Sequence, residues 1–360
     1  MTEHVINVCY TVSIRMDATT NLKGDAQMKQ IELEGSHYEI GLQMGEILQE
    51  EPGYPPAYAQ EVLDKARAYE EQLEAWAPDL LEEFRGIADS LGIDRTIPLT
   101  LEATPYRFAT TSCLVMAISG EHTQNGMPVL ARNHEWDERD SENLRLCYTR
   151  PDGKLASLGF TFSWPLVSRY GGINEAGVAL SSASASFEDR GPGIMLNLAV
   201  RWVLDTCTTT QEAVDYLTKM PKVWGETYVV IDKDNTIAKV EAHRERTQVT
   251  YADTGFASAT LLYDSPEMQP HMSPEWIDRC IEFNSARQAF LGDWFARHKG
   301  AITDELIEAA LRDHEHTVCY HDLEGLEICW SYLLPVGAEH ALVCAGRPCK
   351  NPYVEVAGPL

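Results

Sequence analysis

The chain has 360 residues, 44% of them hydrophobic, and carries 55 acidic against 29 basic residues for a formal net charge of −26. So negative a surface repels a phosphate backbone and argues against nucleic acid as a partner, while a cationic or amine-bearing substrate would suit the field. No stretch approaches the ~18 apolar residues of a membrane span, residues Met1–Asn7 lack the basic and apolar regions of a signal peptide, and the nine cysteines form no C-x-x-C pair, so reduced thiols in a cytoplasmic protein are expected.

Along the chain, residues 5–15 and 28–34 read as strands. A helix follows from about Ala57 to Trp76, closed by Pro78. The next helix sets Leu80, Leu81, Phe84, Ile87, Ala88 and Leu91 on one face and ends at Gly92. Residues 113–119 and 127–134 predict a hairpin around Asn125-Gly126. Short strands continue at 144–149, 155–162 and 177–182, then helices at 196–204 and from Thr209, with Glu212 as capping-box partner. A second hairpin flanks Asp234-Asn235. Ser273-Pro274 and Thr303 open two further helices, and the chain returns to strand at 328–334 and 340–344. Blocks of strands and helices, rather than alternating βαβ units, predict α+β layering. No Gly-rich phosphate loop is present, so a nucleotide has no anchor, and no cofactor is expected.

Cys113 opens the strand Cys113–Ser119, and the hairpin brings Arg132-Asn133-His134-Glu135 back towards it. A thiol in that place is either a packing residue, the commonest fate of cysteine, or a nucleophile. Cys147, Cys207, Cys280, Cys329 and Cys344 lie in apolar periodic segments and read as packing residues. Arg132 alone is compatible with a strand-end ion pair to Glu135 or Asp137, worth ~0–1 kcal/mol. Asn174, in Gly171-Gly172-Ile173-Asn174-Glu175-Ala176-Gly177, is equally compatible with ordinary turn chemistry. His134 reads as facing away from Arg132 on the alternating strand and is not counted as catalytic. The run His314-Glu315-His316-Thr317-Val318-Cys319-Tyr320-His321 has zinc-type ligands, but it lacks the recurrent finger spacing and no metal is assigned to it.

Several segments in order resemble the acyl-CoA:6-aminopenicillanic acid acyltransferase family of autoproteolytic N-terminal-nucleophile (Ntn) hydrolases and acyltransferases. Gly35-Ser36-His37-Tyr38-Glu39-Ile40-Gly41-Leu42-Gln43-Met44-Gly45 is similar to the family's G-S-x-Y-E-x-G-x-Q-x-G opening. Glu83-Phe84-Arg85-Gly86-Ile87-Ala88 resembles its E-x-x-G-I-A helix. Residues Asn125–Asn133 resemble its G-R-N hairpin, and Gly172–Ala179 its G-x-N-E-A-G-x-A turn. Asp313-His314, Cys319, His321 and Gly346-Arg347-Pro348-Cys349 fit its C-terminal end, where the family assigns no metal role. The resemblance spans about residues 28–350.

The resemblance implies a four-layer αββα sandwich in a single Ntn-hydrolase domain over residues 1–360, self-cleaved before Cys113 into pieces 1–112 and 113–360. It further implies an amide hydrolase or acyltransferase in which Cys113 is the nucleophile and its freed α-amine, with an ordinary pKa near ~8, is the base. Asn174 would hold the oxyanion, an effect worth roughly 3 kcal/mol, and Arg132 and Glu135 would orient and polarise the nucleophile. The substrate would be a small linear N-acyl amide. Trp164, Phe187 and Tyr263 are candidate pocket aromatics, each with a core reading beside it. Homo-oligomerisation is left open. Three positions depart from the family pattern: Ser112 for Gly before the nucleophile, Leu114 for Thr or Ser after it, and Glu135 for Asp. Losing Gly at the scissile bond removes backbone freedom that an acyl shift draws on. An intact-mass measurement on the purified chain should resolve two pieces, 1–112 and 113–360, and Cys113→Ala should abolish the split; a Cys113→Ala chain that still splits would sink the assignment.

Overall fold

The computed structural model describes residues 27–105, 112–137, 143–186, 190–321 and 326–359. The expected strand at 5–15 and the side chain of Phe187 lie outside the described residues. Among the described residues the strands form two sheets. In the larger, the order is β1 (Gln27–Gly35), β4 (Asn143–Pro151), β5 (Ser157–Phe162), β6 (Gly171–Asn174), β7 (Val178–Ser186), β8 (Gly225–Asp232), β9 (Ile237–Ala242) and β10 (Thr247–Tyr251). Only the β1–β4 pair in it is parallel. In the smaller, the order is β11 (Phe256–Ala259), β2 (Ser112–Ile118), β3 (Val129–Asp137), β12 (Leu326–Pro335), β13 (His340–Ala345) and β14 (Val354–Ala357), all antiparallel.

The sheets stack through β2 and β3 against β7 and β8. Helices α5 (Leu196–Thr206) and α6 (Thr210–Lys219) cover the outer face of the larger sheet, and α7 (Pro274–His298) and α8 (Asp304–Leu311) that of the smaller. This is the expected αββα order. The residue alternation of β2 shows why the layers are distinct. Cys113, Val115 and Ala117 join the core between the sheets, whereas Leu114, Met116 and Ile118 pack with Leu291, Trp294 and Leu311 beneath α7 and α8, as a period of two requires.

Local signals place most ends. Thr209 and Thr303 cap α6 and α8 by accepting from Glu212 N and Leu306 N, and Gly92 closes α3 (Pro78–Leu91) in the left-handed region at φ 64°. The sequence reading does not include α4 (Thr96–Ala103). Its Pro98 sits in the first turn, where the backbone N–H has no helical partner to lose.

The glycine-rich opening has a packing role. Ser36 caps α1 (His37–Gln49) in a reciprocal capping box with Glu39, and α1 crosses α3 in close contact. A Cβ on Gly41 would lie 2.2 Å from Glu83 O, and one on Gly86 would lie 2.3 Å from Tyr38 O. That approach carries Glu83 into a buried charge cluster. Its carboxylate takes two bonds from Arg201 of α5, at 2.8 and 3.0 Å, and one contact with His37 Nδ1 at 2.7 Å. Burial raises the Glu83 carboxyl, but Arg201 and His37 together hold it below its ordinary value. The replacement Gly41→Ala should therefore lower stability by about 1–3 kcal/mol, the cost of overpacking a close crossing. Urea unfolding measures this; a midpoint equal to wild type would show that the helices can part without cost.

Candidate active site

Strands β2 and β3 set the site by register. Cys113 pairs with His134 and Val115 with Arg132, so Cys113, Arg132 and His134 share the face turned to the larger sheet. Cys113 Sγ accepts from Arg132 Nη2 at 2.7 Å and lies 3.8 Å from His134 Nδ1, and the same Nη2 contacts that Nδ1 at 3.0 Å. The other guanidinium nitrogen, Nη1, donates to Ser182 O at 2.9 Å and also to Tyr170 O and Ser181 Oγ. All three side chains are buried: Cys113 is 4% exposed, and Arg132 and His134 are 1%. They line a cavity completed by Trp136, Tyr170, Ser182, Ser184, Leu196 and Asn197.

Burial pushes the Cys113 thiol above its ordinary value and the carboxylate of Glu135 adds to the rise, while Arg132 works against both. Burial, with Arg132 as a second cause, holds His134 well below the usual imidazole range, so the ring is neutral at physiological pH. A neutral His134 whose Nδ1 accepts from Arg132 carries its proton on Nε2, which has no hydrogen-bond partner among the described residues. The ring stacks on Trp330 at 4.1 Å and on Trp136 at 5.9 Å. The cavity thus offers a thiol, a cation, a neutral imidazole and an apolar wall.

Several sequence expectations change here. His134 does not face away from Arg132: residues two apart on a strand share a face, and that parity alone would have found it. The exposed ion-pair alternative for Arg132 also fails, since Arg132 is buried and Glu135 points to the opposite face. There Glu135 pairs with Arg287 Nη1 of α7 at 2.7 Å and accepts from Tyr320 Oη at 2.8 Å. Burial raises its carboxyl, with Arg287 and Tyr320 opposing. The structure brings Glu135 to the sheet face opposite Cys113 and keeps its side chain out of the cavity lining. The side chain of Asp137 lies outside the described residues.

Asn174 is not brought to the cavity either. Its amide donates to Leu204 O at 3.0 Å and Cys207 O at 2.8 Å, and its carbonyl accepts from Val178 N at 3.0 Å. It ties the β6–β7 turn to the end of α5, which is the turn reading. Trp164 packs edge-on against Tyr54, and Tyr263 donates to Ala242 O at 2.7 Å; neither lines the cavity. Cys147, Cys207, Cys329 and Cys344 are buried packing residues, and the side chain of Cys280 is outside the described residues. Sequence reasoning also misses Ser182, Ser184 and Asn197, which lie on β7 and α5 and reach Cys113 only when the two sheets stack.

The family described as acyl-coenzyme A:6-aminopenicillanic acid acyl-transferase matches residues 122–270. This stretch includes Arg132, His134 and the Gly172–Ala179 turn, begins just after Cys113 in the chain, and bears out the resemblance read from the sequence. No curated protein matches the chain. Among solved structures, penicillin V acylase from Agrobacterium tumefaciens aligns with 14% identity over 65% of this chain and 83% of its own, at a TM-score of 0.43. A mutant of conjugated bile acid hydrolase from Clostridium perfringens gives 13%, 69%, 92% and 0.43. The Caenorhabditis elegans ortholog of N-acylethanolamine-hydrolyzing acid amidase gives 15%, 63%, 94% and 0.44. Among the described residues, no helix is long and apolar enough to cross a membrane.

The electrostatics make a direct prediction for the thiol. Because Arg132 is the main group favouring the thiolate, Arg132→Ala should raise the Cys113 pKa further. A rise of one unit would slow alkylation of Cys113 by iodoacetamide about tenfold at a pH below the thiol pKa. Mass-resolved alkylation against pH measures it; an unchanged profile would show that Arg132 does not set the thiolate.

Proposed function

Starting from a chain of the acyl-coenzyme A:6-aminopenicillanic acid acyltransferase type across residues 122–270, we propose that it is a cysteine amidohydrolase that cleaves a small linear N-acyl amide through a thioester on Cys113. The observation that carries this reading is the thiol itself: Cys113 Sγ lies in a cavity, 2.7 Å from a buried guanidinium, and among the described residues no carboxylate lines that cavity. A cation placed there favours the thiolate and any negative charge that develops beside it.

In the proposed reaction Sγ attacks the amide carbonyl, the C–N bond breaks, and the amine leaves with a proton. Water then resolves the thioester to a carboxylic acid; an amine acceptor in its place would give acyl transfer. The base is the α-amine that self-cleavage at Ser112-Cys113 frees. Its ordinary pKa near ~8 suits proton transfer around neutrality. His134 is the weaker candidate, because burial and Arg132 both oppose its protonated form. Its role in this reading is to accept from Arg132 and hold the guanidinium at the sulfur. The oxyanion falls to donors that face the cavity, among which the Ser182 hydroxyl has no partner among the described residues. Asn174 does not take that role, since its amide is fully engaged elsewhere.

The second reading, an uncleaved cysteine enzyme with His134 as base, has the 3.8 Å Sγ–Nδ1 approach in its favour. A panel of N-acyl amides followed by rapid acid quench should trap an acyl group on Cys113 by peptide mass, absent from Cys113→Ala. If His134→Gln keeps at least about a tenth of the acylation rate and the active chain is cleaved at Ser112-Cys113, the α-amine is the base. Full loss in His134→Gln with an uncleaved, active wild type selects the second reading. A folded wild type that never acylates overturns both and leaves a binding protein on this fold.

A further inference from the structure

The loop after α8 and the segment after β13 meet in a cluster that the proposed chemistry does not use. His314, His321 and Cys349 bring one ligand atom each to within 4.8 Å of one another. Cys319, fully buried in the same loop, belongs to a small apolar cluster against which Cys349 packs. The sequence offers His314, Cys319 and His321 in one run but does not show that Cys349 joins them: it lies beyond two strands and arrives only through the fold.

The backbone is built to hold these groups together. Asp313 folds its loop back, its carbonyl accepting from Cys319 N at 2.7 Å and its carboxylate from His316 N at 2.7 Å, with Thr317 in the left-handed region at φ 57°. On the other side, Arg312 Nε donates to Pro348 O at 2.8 Å, and Arg347 pairs with Glu327 of β12. Arg312 thus ties the Cys349 segment to the end of α8, where the loop begins, and Arg347 ties it to β12.

We propose that His314, Cys319, His321 and Cys349 bind one zinc ion, which fastens the loop at 313–321 to the segment at 346–349. Two imidazoles and two thiols are a donor set suited to tetrahedral zinc. For His314, His321 and Cys349, whose ligand atoms already lie within 4.8 Å of one another, closing to zinc distances of about 2.0–2.3 Å needs side-chain shifts of about 1 Å, and Cys319 would turn in as the fourth ligand. Each thiol loses its proton on binding, so one ion releases two protons to solvent and no redox partner is involved. The consequence reaches β3. The same loop donates Tyr320 Oη to Glu135 at 2.8 Å, while Val318 O accepts from Asn133 at 2.9 Å and Thr317 O from Arg287 at 2.6 Å. The ion would therefore stiffen the support behind the strand that carries Arg132 and His134, whichever chemistry Cys113 performs.

The test uses the full chain, purified without chelator. Elemental analysis should find close to one zinc per chain, and removing it should lower the melting temperature. Cobalt added to the metal-free protein should give the visible bands of a tetrahedral site and a thiolate charge-transfer band. Cys349→Ala should lose those bands, whereas Cys207→Ala, remote from the cluster, should keep them. A folded wild type that leaves cobalt octahedral overturns the proposal, and that readout needs no variant. So does a Cys349→Ala chain that retains wild-type zinc, or a Cys319–Cys349 disulfide in the protein as purified.

Discussion

A guanidinium buried between two sheets is the constraint on which the site depends. Arg132 sits at the inter-sheet layer with two backbone carbonyls, a serine hydroxyl, a thiol and an imidazole around it. Removing a cation from water is costly unless its donors are satisfied and its charge is compensated. Here oxygen dipoles satisfy part of the group, and the compensation comes closest from a neighbour that can become an anion, Cys113. The same field that favours a thiolate disfavours an imidazolium, which is why Arg132 appears on opposite sides of the balance for Cys113 and for His134. Burial sets the direction at both neighbours, and the one buried charge opposes it at Cys113 and adds to it at His134.

The strand that carries Arg132 works on both faces. Towards the larger sheet it presents Arg132 and His134. Towards α7 and α8 it presents Asn133, which holds Leu311 O and Val318 O, and Glu135, which holds Arg287 and Tyr320. Polar side chains of alternate residues are thus locked on opposite sides of one strand, leaving its register little freedom to slip. Further out, the charge cluster of Glu83, His37, Arg201 and Asp205 joins α1 and α3 to α5, the helix that also supplies Leu196 and Asn197 to the cavity. The glycine-spaced opening of the chain therefore bears on the site by letting two helices approach, and not by touching it.

Sequence and structure agree where the cause is local. The caps Thr209 and Thr303, the stop at Gly92 and the turns at Gly126 and Asn235 each follow from a few neighbouring residues. The period of two in β2 is enough to separate the Cys113 face from the Leu114 face, and the same period, applied strictly to β3, puts His134 beside Arg132. Asn174 shows the converse. Its Gly-rich surroundings are shared by turn-forming and oxyanion-holding asparagines alike, and only the carbonyls of Leu204 and Cys207, brought by α5, decide which it is.

The sequence by itself determined the layered α+β class, the position of the thiol at the head of a hairpin strand and the pairing of that strand with the Arg132 segment, because these depend on periodicity and turn chemistry within a short span. Tertiary structure alone decided which donors face the thiol, that Glu135 supports the strand from behind, and that Cys349 joins His314 and His321. Those contacts join residues far apart in the chain, across stacked sheets and folded loops, and no local pattern encodes which of many compatible partners will arrive.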